Sequence, residues 1–127
     1  MKKIISFISR YKFETVLWLA IVIYIAIFSF LSIRRFQTLN SHYYDLGIMN
    51  QVVYNTSRGK FLQMTDQVMK KNIDRMAVHF DPILAVFAPL YYIYQGPETL
   101  LIVQTVILAL GAWAVFLIAK KIGIKFK

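Results

Sequence analysis

Residues 41–82 read SHYYDLGIMNQVVYNTSRGKFLQMTDQVMKKNIDRMAVHFDP, a polar stretch standing between two long apolar runs. It holds both histidines and four of the six acidic residues, namely Asp45, Asp66, Asp74 and Asp81. Any chemistry the chain performs has to be sought here. Upstream, residues 16–33 carry no charge, and as a helix they span about 27 Å, enough for a bilayer hydrocarbon core. Downstream, residues 99–119 are again uncharged, and a second crossing is expected over 97–119. The expected fold is an all-α integral membrane protein. Two transmembrane helices would flank an outer loop bearing one or two interfacial amphipathic helices.

Composition supports that outline. The 127 residues are 58% hydrophobic, with a mean hydropathy of +0.55. That exceeds the roughly 45–50% apolar content of soluble domains. Net charge is 15 − 6 = +9. The basic residues sit beside the apolar runs: Lys2, Lys3, Arg10 and Lys12 before the first, Lys120, Lys121, Lys125 and Lys127 after the last. This is how membrane proteins meet anionic headgroups and fix orientation. No recognition motif accompanies the charge, so nucleic acid is not the expected partner. The absence of cysteine excludes a disulfide framework, Cys-ligated zinc and thiol catalysis.

Taken in order, residues 1–15 form a basic tail and 16–33 the first transmembrane helix. A secretory signal peptide would have a shorter apolar region and a small-residue cleavage site. Here the run passes directly into Arg34 and Arg35, which favours an uncleaved anchor. The outer polar loop covers 34–82. Within it, Leu46, Met49 and Val53 recur at i, i+3 and i+7, with Ile48 and Val52 beside them, so an amphipathic helix is expected near 45–57. Such a helix would lie in the interface plane. Gly59 is its expected C-terminal stop. Residues 60–78 show no clear period and read as loop or a second weak helix. Asp81 and Pro82 suit a helix start. Residues 83–95, interrupted by Pro89, are too short to cross and read as an interfacial or re-entrant helix, with Tyr91, Tyr92 and Tyr94 as a headgroup belt. Residues 120–127 form a second basic tail. The charge bias places both tails in the cytoplasm and the loop outside a cell membrane. Arg34 and Arg35 pull against that orientation.

Each candidate site residue has a bland alternative. Asp45 is a general base or metal ligand, or else a carboxylate serving the start of its helix. His79 and Asp81, two residues apart, would point the same way in extended chain and reach one substrate or cation. Alternatively Asp81 caps the following helix while His79 is an exposed loop residue. Lys70, Lys71, Arg58 and Lys60 suit a phosphate or lipid headgroup, or simply form a solvated face. Asn50 and Gln51, on the polar side of the expected helix, are carried as substrate-binding candidates. Asn55, Thr56 and Ser57 fit a glycosylation sequon, a pattern with many false positives. The small residues Ala109, Gly111, Ala112 and Ala114 thin one part of the second crossing, which invites further transmembrane helices as partners.

Together these pieces resemble a known family. The segments YDLGIMNQ at 44–51, Gly59, HFDPILA at 79–85 and APLY at 88–91 come in that order. Gln104, ALGA at 109–112 and AKK at 119–121 follow on a long helix. They are similar to the predicted multi-pass prokaryotic membrane proteins of the domain of unknown function 2079 family, grouped with the type C glycosyltransferase superfamily. The resemblance implies an integral membrane enzyme that moves a sugar from a polyprenyl-phosphate donor at the outer face. It implies an acidic catalytic base or metal ligand in the first outer loop, the position that matches Asp45, and a divalent cation as an optional cofactor. His79 and Asp81 would then flank the donor phosphate or the metal. Lys70 and Arg75 would offset lipid-phosphate charge. The family usually has Asp where Asn50 stands and Ser where Asp81 stands, and its members continue through many more crossings. The expected function is therefore that of the N-terminal fragment of such a protein, not active alone. The alternative is a complete small two-helix membrane protein that packs against partner membrane proteins through the face around Gly111.

Overall fold

The computed structural model describes residues 12–40, 43–66 and 68–124. The basic stretch 1–11, His42, Lys125 and Lys127 lie outside the described residues. In order come α1 (Lys12–Gln37), α2 (Tyr43–Ser57), β1 (Gln63–Thr65) and β2 (Asn72–Asp74). A 3₁₀ turn (Arg75–Ala77), a 3₁₀ helix (Pro82–Tyr92) and α3 (Glu98–Lys121) complete the chain. These elements fall into two compact units. One combines α1 up to Ser32 with α3 from Ile102 onward, and the other spans Ile33–Leu101.

The first unit is a pair of long apolar helices. With 26 residues in α1 and 24 in α3, they reach about 39 and 36 Å, long enough to cross a membrane. Their apolar residues are not gathered on one face. Val16, Leu19, Val22 and Phe30 on α1, and Ile107, Leu108, Val115 and Ile118 on α3, are all exposed, whereas Ile21 and Ala109 are buried. A helix that is apolar all round is suited to lipid on its outer sides. Trp18 and Trp113 pack with ring centroids 4.9 Å apart. Near the same end, Lys120 Nζ lies 2.8 Å from Glu14 Oε1. Glu14 is in the first turn of α1 and Lys120 in the last turn of α3, so each also complements its own helix dipole. Ala20, Ala109 and Ala112 line an apolar groove with Leu17, Ile21, Tyr24 and Leu108. Part of the small-residue face of α3 is thus met by α1, whereas nothing lies within 4 Å of where a side chain at Gly111 would begin.

The second unit has its own core. Ile48, Val52 and Val53 of α2 are buried against Leu62, Met64, Leu84, Ala88 and Tyr91. The buried face of α2 is therefore centred on Ile48, Val52 and Val53 rather than on Leu46, Met49 and Val53. This apolar face is covered by the protein itself, whereas an interfacial helix would have left it for lipid. α2 ends in a Schellman closure: Gly59 takes φ 80°, Lys60 N–H donates to Asn55 O at 2.9 Å, and Gly59 N–H donates to Thr56 O at 3.0 Å. α1 closes in the same way, with Asn40 N–H on Arg35 O and Leu39 N–H on Phe36 O, both at 3.1 Å. There the left-handed position (φ 60°) falls on Leu39, which pays the Cβ penalty that glycine avoids.

The all-α expectation needs a correction. Residues 63–65 and 72–74 pair as a small antiparallel sheet, Gln63 with Asp74, Met64 with Ile73 and Thr65 with Asn72. Its strands are three residues long and mostly polar. They are held by side chains of α2. Gln51 Nε2 donates to Thr65 Oγ1 at 2.8 Å, Thr65 N–H donates to Gln51 Oε1 at 3.1 Å, and Asn55 Nδ2 donates to Gln63 O at 2.9 Å. The amide of Asn55 is thereby used inside the unit rather than presented as a sequon.

Candidate functional site

Leu62 is the hinge on which the site is built. It is fully buried yet takes φ 48°, a left-handed conformation costly for a branched side chain. Two bonds enforce it. Its N–H donates to Thr56 Oγ1 at 3.0 Å, and its carbonyl accepts from Arg75 N–H at 2.8 Å. The strained residue thus ties the end of α2 to the start of the 3₁₀ turn and fixes where Arg75 sits.

From there the chain is pinned back on itself. Asp74 Oδ1 accepts from Met76 N–H at 2.8 Å and opens the 3₁₀ turn. His79 N–H donates to Arg75 O at 2.9 Å, and Asp81 N–H donates to His79 O at 3.0 Å. The Arg75 side chain is buried. Its Nε and Nη2 donate to the same oxygen of Asp81, at 2.8 and 2.6 Å. Asp81 stands at the N-cap position of the Pro82–Tyr92 helix, but its carboxylate makes no capping bond. It is given to Arg75 instead.

These residues line one cleft of about 420 Å³ with Tyr44, Asp45, Ile48, Met49, Met64, Asp66, Val68 and Val78. Asp45, His79, Asp81 and Arg75, expected as site residues from the sequence, are brought together here. Asp45 is exposed on the first turn of α2, where the dipole favours its charge, and it makes no hydrogen bond or ion pair among the described residues. The imidazole of His79 is likewise exposed and unbonded among them. Arg75 lies in the wall with its charge already matched by Asp81. Three carboxylates (Asp45, Asp66 and Asp81) face one guanidinium, so the cleft is acidic. Among the described residues no three His, Asp or Glu side chains converge closely enough to hold a metal ion.

The other expected contributors fall outside the cleft. Asn50 Oδ1 accepts from Tyr91 O–H at 2.7 Å, across the core. Gln51 is engaged with Thr65. Lys70 is exposed in the β1–β2 turn with φ 51°. Tyr91 is fully buried, and burial, together with the nearby charge of Glu98, pushes its phenol up to about 12.

Tyr44 and Asp66 are cleft residues that sequence reasoning did not select. Tyr44 adjoins Asp45. Asp66 leaves only the weak trace of a carboxylate at a turn, where its Oδ1 accepts from the N–H groups of Val68 and Met69.

No curated protein and no solved structure gives a significant match to the chain. Residues 35–127, which take in the whole cleft and α3, match the family model for predicted membrane proteins designated DUF2079, and the chain belongs to that family.

Proposed function

We propose that this chain contributes the acceptor side of a membrane-embedded glycosyl transfer of the type C kind. The observation that carries the reading is Asp45, an exposed carboxylate without a bonding partner among the described residues, on the first turn of α2, in a cleft that follows a membrane-length helix in the chain. In this reading the Asp45 carboxylate takes the proton of an acceptor hydroxyl. The hydroxyl oxygen forms a bond to the anomeric carbon of a polyprenyl-phosphate-linked sugar. The bond from that carbon to the phosphate oxygen breaks, and polyprenyl phosphate leaves with the electron pair.

The acidity of the cleft supports an acceptor role over a phosphate role. A bare phosphate would meet three carboxylates and a guanidinium already engaged by one of them. Lys70, exposed and outside the cleft, remains available to a lipid phosphate. His79, which lines the same cleft, would in this reading hydrogen-bond the acceptor or receive the proton from Asp45. Further transmembrane helices would enclose the donor, because a cleft of this openness does not exclude water by itself. The cell membrane is the proposed location, with both termini cytoplasmic.

The test is Asp45→Asn in the membrane-embedded protein together with whatever helices complete it. Sugar transfer from a polyprenyl-phosphate donor should fall by at least about 10²-fold, the lower range for loss of a general base. Expression and the fold of the 33–101 unit should persist. Unchanged turnover would remove Asp45 from the mechanism.

A further inference from the structure

Asp66 and Val68 of the β1–β2 turn line the cleft, but the tip from Val68 to Lys71 supplies no reacting group to the chemistry proposed above, and its composition is unusual for a solvated loop. Val68 is 90% exposed and Met69 61% exposed, the former among the most exposed large apolar residues of the chain. Lys70 and Lys71 follow immediately and are also exposed. Arg58 and Lys60, at the end of α2 leading into the same hairpin, are exposed as well. Between residues 58 and 71 there are four basic side chains and a single carboxylate, Asp66.

The backbone of this tip is prepared for a dry environment. Val68 N–H and Met69 N–H both donate to Asp66 Oδ1, and Asp66 N–H donates to Lys71 O at 2.8 Å. Removing backbone donors from water costs less when they are already satisfied internally, and here two consecutive donors are. The carboxylate that satisfies them is the only negative charge between residues 58 and 71.

Connectivity supplies the surface. The Ile33–Leu101 unit is joined at both ends to helices long enough to cross a membrane. A unit of this size has a radius of gyration of roughly 11 Å, so tethering at both ends holds it within reach of the bilayer.

We propose that the Val68–Met69 tip inserts into the headgroup region of an anionic bilayer, with Lys70 and Lys71 pairing with lipid phosphates. The hairpin is then a third membrane attachment, separate from the two crossing helices. Each lysine near an anionic surface should bias docking roughly fivefold. The docked state should therefore depend on lipid charge and weaken with salt.

The chain has no cysteine, so a single introduced one can be labelled uniquely. The full chain would be placed in nanodiscs of phosphatidylcholine, with or without phosphatidylglycerol, carrying a nitroxide at Val68→Cys or Met69→Cys. Ala77→Cys, exposed in the 3₁₀ turn, serves as the control. In anionic discs the ratio of oxygen to nickel-complex accessibility at positions 68 and 69 should rise several-fold over the control. Adding K70E and K71E, or using neutral discs, should abolish the rise. Labels that stay water-accessible in anionic discs, or that enter neutral discs equally well, would overturn the proposal. Labels shielded from both oxygen and nickel would also overturn it, because they would report a protein contact.

Discussion

In α1, Val16, Leu19 and Phe30 are exposed by 64, 59 and 63%, while in the 33–101 unit Val52, Val53 and Leu62 have no exposed surface. The residue types are the same and the solvent differs. The paired long helices hold little of their apolar surface against each other, and their outer sides are matched to hydrocarbon. The other unit buries a compact cluster and fastens it with polar pins: Gln51 to Thr65, Asn55 to Gln63, Tyr91 to Asn50 and Arg75 to Asp81. One region relies on its surroundings for stability, and the other supplies its own interior.

The sharpest way to break this contrast is one substitution made in both regions. Leu62→Ala should destabilise the 33–101 unit by about 3 kcal/mol, as expected for emptying a fully buried site. Leu108→Ala, at a position 60% exposed, should cost less than about 0.5 kcal/mol. Urea unfolding in detergent micelles, combined with hydrogen exchange of the α2 amides, separates the two. Equal effects would mean that the units share one interior.

A comparable effect is expected at the ion pair. Asp81→Ala leaves the Arg75 guanidinium buried and unpaired, at a cost of about 3 kcal/mol. The double variant Arg75→Met with Asp81→Ala should recover most of it. If the double variant is no better than the single, the burial cost of Arg75 has been misjudged.

Tyr91 offers a pH handle confined to the second region. Burial, with the charge of Glu98, pushes its phenol from an ordinary 10 up to about 12 in the folded protein. The unfolded chain therefore loses this proton first. The stabilising contribution is complete below pH 10 and is lost as pH climbs toward 12, amounting to roughly 2–3 kcal/mol. Tyr91→Phe should flatten the unfolding free energy across that window, measured as urea midpoints against pH. An unchanged slope would point to another group.

The smallest predicted effect is a gain. Leu39 is 76% exposed and sits at φ 60°, so Leu39→Gly should relieve backbone strain at the end of α1 by about 0.5–1 kcal/mol. Stronger exchange protection of the last α1 turn would show it.

The two membrane-length helices were legible because an uncharged run of that length needs no context to be read. The helix around Asp45 was legible in outline from its i, i+3, i+7 recurrence and from Gly59. Its face was misjudged by a few positions, because Ile48 and Val52 are buried by Leu62 and Met64 of the next element and by Leu84, Ala88 and Tyr91 further on, none of which shows in the local pattern. The hairpin was not legible. Gln63, Thr65, Asn72 and Asp74 show no apolar alternation, and their strands are held by α2 side chains that no local pattern reveals. The run 83–95 was read from its length and Pro89 as a helix too short to cross. It is wound as a 3₁₀ helix over Pro82–Tyr92, with Leu84, Ala88 and Tyr91 buried and Ile83, Val86 and Tyr92 exposed. At the candidate site, Asp45 was joined to His79 and Asp81 only by the family resemblance, since their types and spacing alone left each with a bland alternative, and all three line the same cleft. That Arg75 is already taken by Asp81 could be learned only from the structure.

The bonds from Tyr91 to Asn50 and from Tyr92 to Ser57 O, across 41 and 35 residues, set a timetable for biosynthesis. When α2 leaves the ribosome, the segment with Leu84, Ala88 and Tyr91, which supplies part of the cover over Ile48, Val52 and Val53, has not yet emerged. At 5–20 residues per second, the wait for residues 84–91 is roughly 2–8 s. During that interval the nascent chain carries an incompletely covered greasy helix next to a membrane anchor. Holding that helix clear of the bilayer until its cover arrives would be the natural task of the insertion machinery or a chaperone.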